Sequence, residues 1–216
     1  MINETTRQRE LALTLKAENG IVVGNVDAKY QTKNPIARRM MQGFMDSARE
    51  LALSTDVRVA HEIGCGEGHL TSHFAEWGFG IRACDFSAQI VEEARTTYGG
   101  LGIEFNVKSV YDLDPTVDGA PLIVCCEVLE HLEEPECALQ RLRDVSFEWC
   151  LMSVPREPIW RLLNMARGKY LDDLGNTPGH LQHWGKQSFL ALISQYFEVV
   201  AVRSPLPWTM VLCRRG

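Results

Sequence analysis

The sequence predicts an α/β fold: a doubly wound, mostly parallel sheet that closes in a terminal antiparallel hairpin. Three observations predict it. Apolar strand-like runs alternate with helix-period segments from residue 57 to residue 154, and the connections between them are short. A glycine-rich turn joins the first strand to the helix after it, as in doubly wound sheets that bind ligands at the carboxyl ends of their strands. The last thirty or so residues break the rhythm, because two apolar runs flank Pro205-Leu206-Pro207 and read as a hairpin.

The elements follow in order. Residues 1–52 are expected to be N-terminal helices. Within them, Asn34-Pro35 reads as an N-cap followed by proline at the first helical position. Ile36, Met40, Phe44, Ala48 and Leu51 then recur at helical spacing. Strands are expected at Val57–Ile63, Gly80–Asp85, Ile103–Lys108, Pro121–Cys126 and Trp149–Val154, with helices at His69–Trp77, Ala88–Tyr98 and Pro135–Val145. Ser87 suits the cap of the second of these helices and Gly99-Gly100 its stop. A helix over Lys186–Tyr196 precedes the hairpin strands Phe197–Ser204 and Trp208–Arg214. The segment 155–184 is too long for a simple connector and is expected to be an insertion, a lid over the functional edge.

Composition narrows the class. A chain of 216 residues with 45% hydrophobic and 23% charged residues fits one globular domain, 1–216, rather than disorder or a coiled coil. No apolar run is long enough to span a bilayer, and the polar start matches neither a signal nor a transit peptide. With 22 basic against 28 acidic residues, the net charge of −6 disfavours nucleic acid as a general partner. Seven cysteines without CxxC spacing point to reduced, mostly buried thiols and a cytoplasmic location.

The turn His61-Glu62-Ile63-Gly64-Cys65-Gly66-Glu67-Gly68 carries the chemistry. Without a Cβ at its glycines, a ligand approaches the backbone closely. Dinucleotide enzymes use GxGxxG and seat a pyrophosphate on the following helix. Here the spacing is GxGxG and Glu67 sits in the turn. Two like charges at about 4 Å repel by roughly 4 kcal/mol at an effective dielectric of ~20, which disfavours a pyrophosphate and hence a nicotinamide oxidoreductase. A cationic nucleoside ligand without phosphate fits better, and S-adenosylmethionine is one. Asp85, seventeen residues beyond Gly68, ends the second strand where a carboxylate accepts both ribose hydroxyls. Asp112 follows the third strand, where an acid takes an adenine amino group, while Glu127 and His131 follow the fourth.

Four motifs in this order resemble class I S-adenosylmethionine-dependent methyltransferases: Glu62–Gly68, Ala83-Cys84-Asp85-Phe86-Ser87, Val110-Tyr111-Asp112-Leu113 and Cys126-Glu127-Val128-Leu129-Glu130-His131-Leu132. The resemblance implies a Rossmann-like seven-stranded sheet with its last strand antiparallel. It places Glu62 and the loop residues Gly64, Cys65 and Gly66 against the methionine portion of the cofactor. It further places Asp85 on the ribose, Asp112 on the adenine and Phe86 on the nucleoside, and it assigns Glu127 a cofactor contact.

Methyl transfer needs an aligned acceptor and, for a hydroxyl or amine, a base. His131 is the expected base, with Glu130 beside it, and O-methylation of a small molecule is favoured. Glu127, Glu130 and His131 also form an ExxEH pattern which, with His180 or His183, offers ligands for a divalent metal such as magnesium. That pattern is similar to ubiquinone-pathway O-methyltransferases and to metal-dependent small-RNA 2′-O-methyltransferases. From another class, the alternative is a non-catalytic, cofactor-binding partner subunit. Arg156, Trp160, Arg161 and Tyr170 are expected to shape the acceptor pocket, with Tyr30 and Arg38 closing the cofactor site from above.

Overall fold

The computed structural model describes residues 34–216, together with the backbone of a two-stranded antiparallel ribbon pairing Ala17–Glu18 with Ile21–Val22. Tyr30 and the remainder of the expected helices before residue 34 lie outside the described residues. Helix α1 spans Pro35–Leu53. It begins as the sequence requires, because Asn34 Oδ1 accepts from the backbone N–H of Ile36 at 2.9 Å and of Ala37 at 3.3 Å.

Then follow β1 (Val59–Ile63), α2 (His69–Glu76), β2 (Gly80–Asp85), α3 (Ala88–Tyr98), β3 (Glu104–Val107), the short α4 (Pro115–Asp118), β4 (Ala120–Cys126), α5 (Pro135–Val145) and β5 (Ser146–Pro155). After these come α6 (Ile159–Ala166), α7 (Lys186–Ile193), β6 (Glu198–Arg203) and β7 (Trp208–Arg214). The sheet has seven strands in the order β3-β2-β1-β4-β5-β7-β6. The first five are mutually parallel, and β7 runs antiparallel to both β5 and β6.

Strand ends follow their partners. β1 begins at Val59 because its neighbour offers Gly80 as the first partner. β5 extends to Pro155 because β7 pairs it as far as Trp208. Helix α3 stops at Tyr98, but the chain continues through a 3₁₀ turn at Gly99–Leu101, and the left-handed residue that redirects it is Gly102, φ 74°.

Alternation along the central strands builds two cores. Leu122, Val124 and Cys126 of β4 face α1, α2 and α3, while Ile123 and Cys125 face α5 and α7. All seven cysteines are free thiols, and only Cys137 is exposed. No described helix is long and apolar enough to cross a membrane. The parallel strands end at one edge, which brings Ile63, Asp85, Val107, Cys126 and Pro155 to the same side of the sheet.

Candidate active site

The glycine loop opens at that edge. Gly64, Gly66 and Gly68 all have positive φ, at 76°, 52° and 80°. Space divides them further. A Cβ at Gly64 would meet Val128 Cγ2 at 2.4 Å, and one at Gly68 would meet the Phe105 ring at 3.0 Å, whereas one at Gly66 would meet nothing within 4 Å. The outer two glycines let the loop pack; the middle one faces open space that a ligand can occupy. The loop is tied to β2, since the N–H groups of Gly64 and Cys65 both donate to Cys84 O.

Asp85 closes the loop from the next strand. Its Oδ2 accepts from Gly66 N–H at 3.0 Å and its Oδ1 from Ser87 N–H at 3.0 Å. The Phe86 N–H also acts on this carboxyl, and two oxygens with about four lone-pair sites still leave it acceptor capacity for a ligand hydroxyl. Burial pushes this carboxyl above its ordinary pKa, against the pull of those backbone donors. Glu62 lies deeper, 2% exposed, and its carboxylate accepts from the Thr71 hydroxyl of α2. Burial raises it to about 8, opposed by the Thr71 bond and reinforced by Asp85. Cys65 is buried in the loop, its thiol 3.5 Å from Gly66 O. Phe86 is 39% exposed beside Asp85, and Asp112 is exposed at the end of a 3₁₀ turn after β3. The residues expected to hold a nucleoside therefore share one edge, where the Phe86 ring and Asp112 are exposed and Asp85 is buried beside them.

The segment after β4 is organised by strain and by the insertion. Glu127 adopts φ 60°, a left-handed conformation costing a non-glycine residue about 1–3 kcal/mol. It is held there by Ser153 O, which accepts its N–H at 3.0 Å, by Ser153 Oγ donating to Oε1 at 3.1 Å, and by Trp208 Nε1 donating to Oε2 at 2.6 Å. Glu127 thus turns toward β5 and β7 and away from the expected metal set, while ligating atoms of Glu130, His131 and His180 come within 4.8 Å of one another. Two of these three are buried, Glu130 at 2% and His180 at 8% exposure. His183 bonds Asn176 Oδ1 instead, at 2.7 Å.

The insertion is pinned over this cluster. Glu130 O accepts from Leu181 N–H and Gln182 N–H at 2.8 and 2.9 Å, and Gln182 Nε2 donates to Leu132 O at 3.0 Å. His131 Nδ1 lies 2.9 Å from Gly179 O. A carbonyl can only accept, so Nδ1 donates to Gly179 O, and Nε2 lies 4.0 Å from Glu130 Oε1. The rings of His131 and His180 meet edge-on at 4.9 Å, His180 stacks on Trp160 at 5.8 Å, and Trp160 lies 5.7 Å from Trp208. The Arg161 guanidinium donates to Leu174 O and Asp173 O and folds the insertion onto α6.

Trp208, Ser153, Thr71 and Gly179 were not singled out as site residues in the sequence. Their contributions depend on cross-strand and insertion contacts far apart in the chain, 81 residues for Trp208 and Glu127. No local pattern signals such a contact; a tryptophan opening an otherwise aliphatic strand is the one available cue.

Residues 60–146 match the family described as "Methyltransferase domain". Among curated proteins, none matches the sequence. Magnesium protoporphyrin IX methyltransferase from Synechocystis PCC 6803, solved with bound SAH, is similar at TM-score 0.66 and 16% identity, covering 99% of this chain and 95% of that one. N-methyltransferase NodS from Bradyrhizobium japonicum WM9 is similar at TM-score 0.62 and 16% identity, covering 84% of this chain and 97% of that one. An O-methyltransferase family protein from Burkholderia thailandensis is similar at TM-score 0.64 and 16% identity, covering 82% of this chain and 57% of that one. Residues 60–146 thus match a methyltransferase domain, and the seven-stranded sheet around them has the Rossmann-like architecture of the methyltransferase structures it resembles.

Proposed function

We propose that this methyltransferase acts on a small-molecule acceptor, with a hydroxyl oxygen as the favoured methyl acceptor and His131 as the base. The cofactor fits the residues present: an open Gly66 backbone, a carboxylate at Asp85 with lone pairs to spare, and an exposed Phe86 face. When bound, it supplies a methyl group already activated on a sulfonium. The loop from Glu62 to Gly66 would bear on its methionine portion, Asp85 on the ribose and Asp112 on the adenine. Glu127, fixed by Ser153 and Trp208, would face the junction of cofactor and acceptor.

The observation that carries the reading is the His131–Gly179 contact. It directs an Nδ1 proton to Gly179 O, which supports Nε2 as the atom that takes the acceptor's proton. Glu130, a buried acid 4.0 Å away, then stabilises the imidazolium that forms. The chain is read as one domain, with 155–184 as a cover over the carboxyl edge, and the buried free thiols suit a reducing cytoplasm. The test is transfer of a tritiated methyl group from the cofactor to pooled small-molecule alcohols, phenols and amines. His131→Asn should lose turnover about 10²–10⁴-fold while retaining S-adenosylhomocysteine binding. Unchanged turnover in that variant removes His131 from the chemistry.

A second reading is favoured by the compact Glu130, His131 and His180 cluster. A ligating imidazole commonly donates its other N–H to a carbonyl, as His131 does to Gly179. Two imidazoles and one carboxylate suit manganese, iron or zinc better than the oxygen-preferring magnesium. A bound metal would lower the pKa of an acceptor hydroxyl. Calorimetric titration with manganese separates the readings: binding lost in His180→Ala supports the metal, and heat-silent titration favours His131 as the base.

A further inference from the structure

Helix α1 buries Met41, Phe44, Met45, Ala48, Leu51 and Ala52 against the sheet and packs Met40 at the core's margin, but its first turn does not reach the core. Ile36 is 67% exposed, although it belongs to the same apolar pattern. Pro35, Ile36, Arg39, Met40 and Gly43 share one helix face, and with Leu206 of the β6–β7 turn they line a groove of about 440 Å³. That volume lies in the range of small-molecule sites, roughly 300–1,000 Å³. Arg39 is exposed and is the one charged residue in the lining; among the described residues it has no hydrogen-bond or ion-pair partner.

The groove adjoins the carboxyl edge. Phe44 follows Gly43, and its ring meets Trp208 edge-on at 5.1 Å. Trp208 in turn bonds Glu127 at the end of β4. Gly43 contributes to the opening: a Cβ there would already stand 3.9 Å from Pro205 Cβ, so a larger side chain would fill the space between helix and turn. Folding gains nothing from an isoleucine left in water. An apolar trough with a single unpaired guanidinium at its side is instead complementary to a molecule with an apolar body and one acid.

We propose that the acceptor is an amphipathic monoanion whose apolar body lies in this groove and whose acidic group pairs with Arg39. This rests on the methyltransferase reading above, since it names the substrate class for that site. Trp208 then links groove and site: its ring packs on Phe44 behind the groove, and its N–H holds the Glu127 carboxylate.

The test is calorimetric titration of the full chain with octanoate and with 1-octanol, which share an apolar tail and differ in charge. Octanoate is expected to bind once per chain and about ten-fold more tightly than 1-octanol, the difference of one charge-assisted contact. Arg39→Gln should bring the two to equal affinity. Ile36→Asp, an acid placed where a helix N-terminus tolerates one, should weaken octanoate by about ten-fold or more. S-adenosylhomocysteine titrated into each variant should bind as to the wild type. Equal affinity for the two probes in the wild type overturns the assignment of an anion, and octanoate binding unchanged by Ile36→Asp overturns the groove. A dimer that Ile36→Asp converts to monomer in sedimentation gives the face to a second copy and overturns the proposal. Octanoate binding by a chain that binds no S-adenosylhomocysteine overturns the reading of the ligand as a methyl acceptor while leaving the groove standing.

Discussion

The indole Nε1 of Trp208 donates to Glu127 Oε2 across 2.6 Å, tying the first residue of β7 to the residue that follows β4. The bond spans β5, whose Ser153 supplies the other carboxylate oxygen's donor. Three strands thereby hold one acid in a backbone conformation it would otherwise avoid.

Trp208→Phe keeps the ring packing on Phe44 and removes the donor. A hydrogen bond to a charged group contributes about 1.5–3 kcal/mol, so stability in urea should fall by about that amount. Glu127→Gly, which relieves the left-handed strain, should make the tryptophan substitution nearly silent in the double variant. Additive losses would show that the two residues are not coupled.

Glycine substitutions should separate packing from ligand space. Gly64→Ala and Gly68→Ala force a methyl group into Val128 and Phe105 and should destabilise the fold as well as cofactor binding. Gly66→Ala meets no protein atom, so its stability cost should be confined to the positive φ, about 1 kcal/mol, while S-adenosylhomocysteine affinity falls sharply. Thermal unfolding and calorimetry on the three variants check this, and equal stability losses at all three positions would contradict it.

Much of this loop was legible in the sequence, because each role is local. A positive-φ turn needs glycines, and an acid at a strand end is placed by the strand. The caps at Asn34 and Ser87 were legible for the same reason. What escaped was set by distant packing. ExxEH spacing suggests that Glu127, Glu130 and His131 converge, but the left-handed Glu127 turns its carboxylate toward β7. The exposed start of α1 also escaped: Ile36 continues the apolar period of Phe44, Ala48 and Leu51, and only the extent of the sheet determines where burial ends.

Glu62 gives stability a pH dependence with a definite sign. Its carboxyl is raised from an ordinary 4.5 to about 8 by burial, so the folded state holds a proton that the unfolded chain has released. Its contribution is fully present below pH 4.5 and is lost as pH rises through about 8. Asp85, also raised, acts in the same direction, and the nearby Cys65 and Cys126 thiols, pushed above their ordinary range by burial, stay neutral throughout. His61 has the opposite sense: burial lowers its pKa, so its contribution is present above 6.5 and is lost as pH falls below it. Urea unfolding of wild type and Glu62→Gln across this window isolates the glutamate. The difference should change by up to about 1.4 kcal/mol per pH unit, and parallel curves would contradict the assignment.

Asp85→Asn tests the nucleoside end. The amide keeps the side chain's shape but loses the charge that accepts from ligand hydroxyls. The expected loss is about 1.5–3 kcal/mol, or roughly 10–150-fold in S-adenosylhomocysteine affinity. Far-ultraviolet circular dichroism should be unchanged, and an unaltered affinity would place the ribose elsewhere.

The most direct test of the whole account is calorimetric titration of the wild-type chain with S-adenosylhomocysteine. One site per chain, weakened by Asp85→Asn and by Gly66→Ala, is the predicted result. A folded chain that takes up no S-adenosylhomocysteine would contradict the assignment of the glycine loop, and with it the acceptor chemistry built on that loop.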